Sequence, residues 1–168
     1  MSRFLSPGEY LPHQAPMILL EEVIAVSSET ATCRSTVSLQ GVLSPFLTED
    51  HRLPGWYALE LMAQTVGVWN GWHRQQHSVC TPALGMILGA RNLTTTQPFF
   101  GVGDSLDIQI SLLMQDGRMA SFDAAIYQQK NRVAQGRVNT YQPNDDELAY
   151  FFKEEKEHDK TSPNHRSK

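Results

Sequence analysis

Cysteine is scarce in this chain, with only Cys33 and Cys80 among 168 residues. Two thiols so far apart have neither the spacing of metal ligands nor the density of a disulfide scaffold, which fits a reducing compartment. An excess of positive charge is also missing: 14 Lys and Arg stand against 18 Asp and Glu, a formal charge of −4. Proteins that live on phosphate contacts are usually basic, so nucleic acid is not an expected partner. No export signal opens the sequence, because Met1–Tyr10 holds Arg3 with no apolar stretch behind it. The most apolar stretch, Gly55–Trp72, carries Glu60, Gln64, Asn70 and three glycines, which makes it a poor membrane span and a better buried helix. A cytoplasmic protein without membrane insertion is the expectation. Nothing repeats at a fixed period, which excludes solenoids. The nucleophile elbow, the phosphate-binding loop and the dinucleotide-binding glycine pattern are absent too. Gly101-Val102-Gly103-Asp104 lacks the third glycine and runs into a strand. No cofactor and no metal are indicated.

What is present predicts one domain over residues 5–143, followed by a charged, flexible tail over 144–168. That tail is too rich in Asp, Glu and Lys to bury the apolar surface that ordering requires, although Leu148–Phe152 could dock back as a short helix. Met17–Leu20 and Val23–Val26 read as an early strand, and Thr30–Ser38 alternates as a second. A loop through Gly41–Leu53 ends at Pro54-Gly55, and the single long helix is expected over about Gly55–Gln76. Asp116-Gly117 between Leu106–Met114 and Arg118–Tyr127 signals a tight hairpin, and Val133–Tyr141 continues the sheet. A strand pair, a helix and then three or more antiparallel strands is an α+β order.

Three groups of residues are candidates for chemistry. Glu60 is the only charged residue from Gly55 to Trp72. Burial among Leu59, Leu61 and Met62 would disfavour its charge and make it an acid near neutrality. Gln64 lies one turn on and Tyr57 one turn back, so the three share a helix face, which could equally be a solvent or subunit face. Pro54-Gly55 opens the helix and would aim free N–H groups of Gly55 and Trp56 at a developing negative charge, or simply start a helix. Among the histidines, His73 and His77 have metal-compatible spacing but lack a third ligand and read as solvated. His51 sits in the loop before the helix, where it could reach a site or stay exposed. His13 has no evident partner.

Two segments together resemble a known family. Leu11-Pro12-His13-Gln14-Ala15-Pro16-Met17-Ile18-Leu19-Leu20-Glu21-Glu22-Val23 is similar to the opening of the β-hydroxyacyl-acyl-carrier-protein dehydratases of the FabA/FabZ type. Leu53-Pro54-Gly55 followed by Leu59-Glu60-Leu61-Met62-Ala63-Gln64 resembles their central-helix motif, and Val102-Gly103-Asp104 a weaker third element. The resemblance implies the hotdog fold, a long helix wrapped by a curved antiparallel sheet and working as a dimer. It also implies removal of water from a 3-hydroxyacyl thioester on acyl carrier protein, with a histidine base and a helix carboxylic acid from different subunits. Glu60 falls where that acid belongs, with Gln64 in support. The base position, fourteen residues earlier, is Phe46, which has no proton chemistry, and His51 would serve only if the loop were rebuilt. The tryptophans of Leu53–Tyr57 and Val68–Trp72 resemble a narrower group, the ApeP-like hotdog proteins of aryl polyene gene clusters, which accompany a second hotdog protein bearing the histidine. The resemblance therefore implies either a homodimer or a heterodimer with a second hotdog dehydratase. A hotdog thioesterase using Glu60 and Gln64, and a structural subunit without chemistry, are the other classes.

Overall fold

The computed structural model describes residues 3–77, 86–144, 146–147 and 149–150. Its strands are β1 (Glu22–Val26), β2 (Thr30–Thr36), β3 (Arg52–Pro54), β4 (Met86–Thr95), β5 (Phe99–Gly101), β6 (Ser105–Asp116), β7 (Met119–Gln128) and β8 (Asn131–Tyr141), with one long helix, α1 (Tyr57–Gln76), between β3 and β4. Six strands form one antiparallel sheet in the order β1-β2-β6-β7-β8-β4, and β3 pairs separately with β5.

Period-2 patterning decides which face of the sheet meets the helix. Ala31 and Cys33 of β2, Ile108 and Ile110 of β6, and Phe122 and Ile126 of β7 all point inward and are buried. Against them α1 packs Leu61, Met62, Val66 and Val68. Register shifts at Val23/Ala25, Ile87/Gly89, Arg91/Thr94, Leu112/Met114 and Ile126/Tyr127 insert bulges. Bulges bend strands and increase their twist, so the sheet curls around the helix as the hotdog arrangement requires. The expected hairpin is in place: Gly117 turns between β6 and β7 at φ 60°, a left-handed conformation glycine adopts without a Cβ penalty.

Three features depart from the sequence reading. Met17–Leu20 is not a strand; Leu19 and Leu20 are buried, yet the Leu19 amide donates to a side chain on α1. Within the expected loop, Arg52–Pro54 pairs with Phe99–Gly101, fixing the entry to the helix. The edge strand β4 is the third departure, since Gly89, Ala90, Arg91 and Asn92 show no strand alternation in sequence. Of the expected tail, residues 151–168 lie outside the described residues, as does Cys80. At its start, Glu147 accepts from Arg118 at 2.7 Å and bonds the Tyr141 hydroxyl. Among the described residues no helix is long and apolar enough to cross a membrane.

Candidate active site

The helix start is set by backbone, not by a capping side chain. Trp56 occupies the cap position without a side-chain cap, directly after Pro54-Gly55. Gly55 donates its N–H to the Pro98 carbonyl at 2.7 Å. A Cβ on Gly55 would lie 3.0 Å from that same oxygen and 3.1 Å from the Gln97 carbonyl, so only glycine fits without a shift. This corrects one expectation: the Gly55 amide is already engaged and is not an outward-facing donor. The Trp56 and Tyr57 amides have no acceptor among the described residues, and they carry the positive end of the helix dipole. The Trp56 side chain is 71% exposed beside them.

One turn into α1 stands Glu60. Its side chain is 46% exposed, so the burial expected from Leu59, Leu61 and Met62 is not there. Each helical residue turns about 100° from the last; Leu61 and Met62 therefore enter the core while Glu60 faces outward. Its Oε1 accepts a hydrogen bond from Gln64 Nε2 at 3.0 Å. Gln64 is buried and spends its whole amide: Nε2 also donates to the Met17 carbonyl at 2.8 Å, and Oε1 accepts from the Leu19 N–H at 2.8 Å. The side chain expected to support the acid thus also binds the opening segment to the helix.

That opening segment brings a residue for which the sequence shows no partner. His13 Nε2 lies 3.8 Å from Glu60 Oε1, with the imidazole side chain 36% exposed. Its Nδ1 is buried and makes no hydrogen bond. No local spacing signals this pair; only the docking of residues 11–19 onto α1 creates it.

Phe46, in the base position, ends a short 3-10 turn, Ser44–Phe46, and its ring meets Tyr57 at 5.4 Å. The place beside the helix start is therefore filled by aromatic carbon. His51 is not brought to the acid. It is exposed, with φ 61°, and its N–H is bound to the Thr48 carbonyl at 2.9 Å. The following Arg52 is held by Asp50 at 2.7 Å and stacks over the Phe99 ring at 4.0 Å.

At the far end of the helix His73 is not solvated as expected. It sits against Trp69 at 4.3 Å and Trp72 at 5.0 Å, with a ring nitrogen 3.0 Å from the Ser27 carbonyl. Burial pushes its pKa below the usual histidine range, partly offset by the Ser27 carbonyl, with the neighbouring His77 charge adding to the fall. Among the described residues no three His, Cys, Asp or Glu stand together as a metal site.

Taken as chemistry, the cluster offers a carboxyl with one oxygen anchored and the other open, an imidazole beside it, and two helix-start amides for a partial negative charge. Among the described residues no second imidazole stands against this face.

The ApeP-like model, described as ApeP dehydratase, matches residues 5–153. A chain of the dehydratase heterocomplex ApeI:P from Xenorhabdus doucetiae is 49% identical, covers 89% of this chain and 99% of its own, and superposes with a TM-score of 0.84. Two more distant structures share the fold alone. A mutant of the phenylacetic acid degradation protein PaaI from Thermus thermophilus has 12% identity, 73% and 92% coverage of this chain and its own, and a TM-score of 0.54. A hypothetical thioesterase with coenzyme A from Streptococcus pneumoniae has 15% identity, 73% and 88% coverage, and a TM-score of 0.56. No curated protein matches the chain in sequence. With the family match running through the opening segment, helix and sheet alike, the chain belongs to the ApeP-like dehydratases, lyases built on the hotdog fold.

Proposed function

We propose that this chain supplies the acid half of a 3-hydroxyacyl-[acyl-carrier-protein] dehydratase, and that a second hotdog dehydratase chain supplies the histidine base. The observation that carries the reading is the asymmetry around Glu60. One carboxyl oxygen is fixed by Gln64 at 3.0 Å, while the flank where a base belongs holds the Phe46 ring against Tyr57. A carboxyl is presented, and the position where the family's base belongs holds no titratable group. The 49% identical relative comes from a dehydratase heterocomplex, which supports a hotdog dehydratase partner here. Its pairing, together with the family's narrower resemblance, favours acyl chains of aryl polyene or fatty-acid-like synthesis as the substrates.

In this scheme the partner's base removes the C2 proton of the 3-hydroxyacyl thioester. Electrons of that bond form the C2–C3 double bond, and the C3–O bond breaks. Glu60 gives its proton to the departing hydroxyl, which leaves as water. The Trp56 and Tyr57 amides stabilise the thioester oxygen as it gains enolate character, in place of the Gly55 and Trp56 pair that the sequence suggests.

The experiment is a dehydration assay on 3-hydroxyacyl-carrier protein. This chain alone should show little activity, the mixture with its partner full activity, and Glu60→Gln with partner a loss on the order of 10²–10⁴. Strong activity from the isolated chain would refute the divided site and return the role of base to a histidine of this chain, His13 beside Glu60 ahead of His51. Undiminished activity in Glu60→Gln would reduce the chain to a structural subunit, and release of free thiol would mark a thioesterase.

A further inference from the structure

The outer face of the sheet carries an open groove at the end where β6 turns into β7. Met114 and Met119 stand there as diagonal neighbours, 62% and 52% exposed. Two large apolar side chains together on a sheet face mark a contact surface. Around them the residues are small: Met114 opposes Ser121, Ser121 opposes Asn139, and Asn139 opposes Gly89 of β4. A Cβ on Gly89 would meet nothing within 4 Å, so the floor is clear. The groove, about 590 Å³ in volume, runs on to Arg91 and Arg137, which are paired across β4 and β8. Arg137 reaches Asp123 at 3.6 Å, and Arg91 has no ion pair among the described residues.

The chain itself leads to this groove. Glu147 accepts from Arg118 at 2.7 Å and bonds the Tyr141 hydroxyl. Tyr141 is paired with Met119, so these bonds anchor residue 147 at the methionine end. Asn144 Oδ1 accepts the Glu147 N–H at 2.7 Å, the arrangement of a helix N-cap, and residues 146–147 and 149–150 are helical. Asp146, Ala149 and Tyr150 are exposed, whereas Glu147 is half-buried. Each helical residue turns about 100° from the last. A helix continued in this phase therefore carries Leu148, Phe151, Phe152 and Glu155 on the side opposite the exposed one.

We propose that this groove is the seat of the chain's own C-terminal segment, with Leu148, Phe151 and Phe152 over Met114, Met119 and Gly89, and Glu155 reaching Arg91 and Arg137. The order of chemistry agrees. Away from the Glu147 anchor the groove passes from apolar to basic, as the segment passes from apolar to acidic. The lengths agree too: from Met119 to Asp123 a strand advances about 13 Å, and from Leu148 to Glu155 a helix advances about 10 Å. Tethering favours this occupant over a second copy, because a short link raises the local concentration of the segment to the order of millimolar. A helix seated there also braces β4, an edge strand that pairs with β8 alone.

Methionine methyl NMR with a nitroxide dissolved in the solvent tests this on the full-length chain. Met62, fully buried in the core, is the internal reference. In wild type the Met114 and Met119 methyls should be broadened little more than that of Met62. In Phe151→Asp/Phe152→Asp they should broaden severalfold more, while an unchanged Met62 signal reports an intact core. Gly89→Trp approaches from the other side: it fills the groove, and amides of residues 149–155 should then exchange severalfold faster than in wild type. Equal broadening of Met114 and Met119 in wild type and the double variant overturns the proposal. So does unaltered exchange of residues 149–155 in a folded Gly89→Trp protein. Protection that fades on dilution overturns it as well, because the occupant is then a second copy of the chain.

Discussion

Gln64 satisfies three groups with one buried amide: the Glu60 carboxyl, the Met17 carbonyl and the Leu19 N–H. Its removal has two separable effects. In Gln64→Leu the buried Leu19 donor is orphaned, which costs on the order of 1–3 kcal/mol and should appear as a lower urea midpoint. Glu60 would also lose its anchored oxygen, so the assembled complex should lose activity even where the variant is folded. A variant with wild-type stability and turnover would show that the opening segment is held by other contacts. At this scale the sequence is informative only where geometry is local. Glu60 and Gln64 stand four apart on a helix, and that spacing alone places them together. The exposure of Glu60 is not legible from its apolar flanks, because sequence neighbours on a helix point in different directions. His13 is unreadable, since nothing nearby in sequence tells an unpartnered histidine from one that a tertiary contact will place beside an acid.

Helix α1 is crossed closely by the chain that precedes the sheet. A Cβ on Gly71 would run into the Tyr10 carbonyl oxygen and stand 2.8 Å from its carbon. Backbone cannot yield as a flexible side chain does, so Gly71→Ala should push the opening segment away from the helix. The expected cost is about 1–3 kcal/mol, outweighing the gain in helix propensity, which is about 1 kcal/mol for alanine over glycine. Thermal unfolding checks the sign, and a stabilised Gly71→Ala would mean the segment docks elsewhere in solution. The helix itself is legible: long apolar periodicity and Pro54-Gly55 locate it to within two residues of its start. The strands β6, β7 and β8 are legible through alternation and the Asp116-Gly117 turn. The edge strand β4 and the short β3–β5 pair are not, because their pairing is dictated by partners distant in sequence and not by their own pattern.

Across the whole molecule the curved sheet closes over α1 and leaves Cys33 fully buried on its inner face. Burial pushes that thiol up to about 12, against a smaller lowering by its bond with Thr65. The thiol is thus held protonated across the neutral range, and none of it is open to solvent. In a Cys80→Ser background, iodoacetamide should therefore modify Cys33 only at the rate of global opening, and labelling should track the stability of the domain. Labelling as fast as an unfolded control in native buffer would contradict the packing described. The α+β order tells the sequence reader that a sheet must cover the helix; how strands are ordered within it, with β4 joining β8 at the edge, depends on chain crossings that no local pattern records.

The bond from Leu19 to Gln64 spans 45 positions, and this gives the site a place in time as well as in space. Contacts of such separation are costly to close and form with the global fold, not ahead of it. Until that span closes, His13 has no neighbour in Glu60, even where the helix has already brought Glu60 and Gln64 together. A nascent or partly opened subunit can thus form the helix pair without the imidazole that the opening segment brings to it. The cluster is therefore completed only when the opening segment docks, and because Leu11, Leu19 and Leu20 of that segment are buried in the core, deleting it should lower stability together with the site.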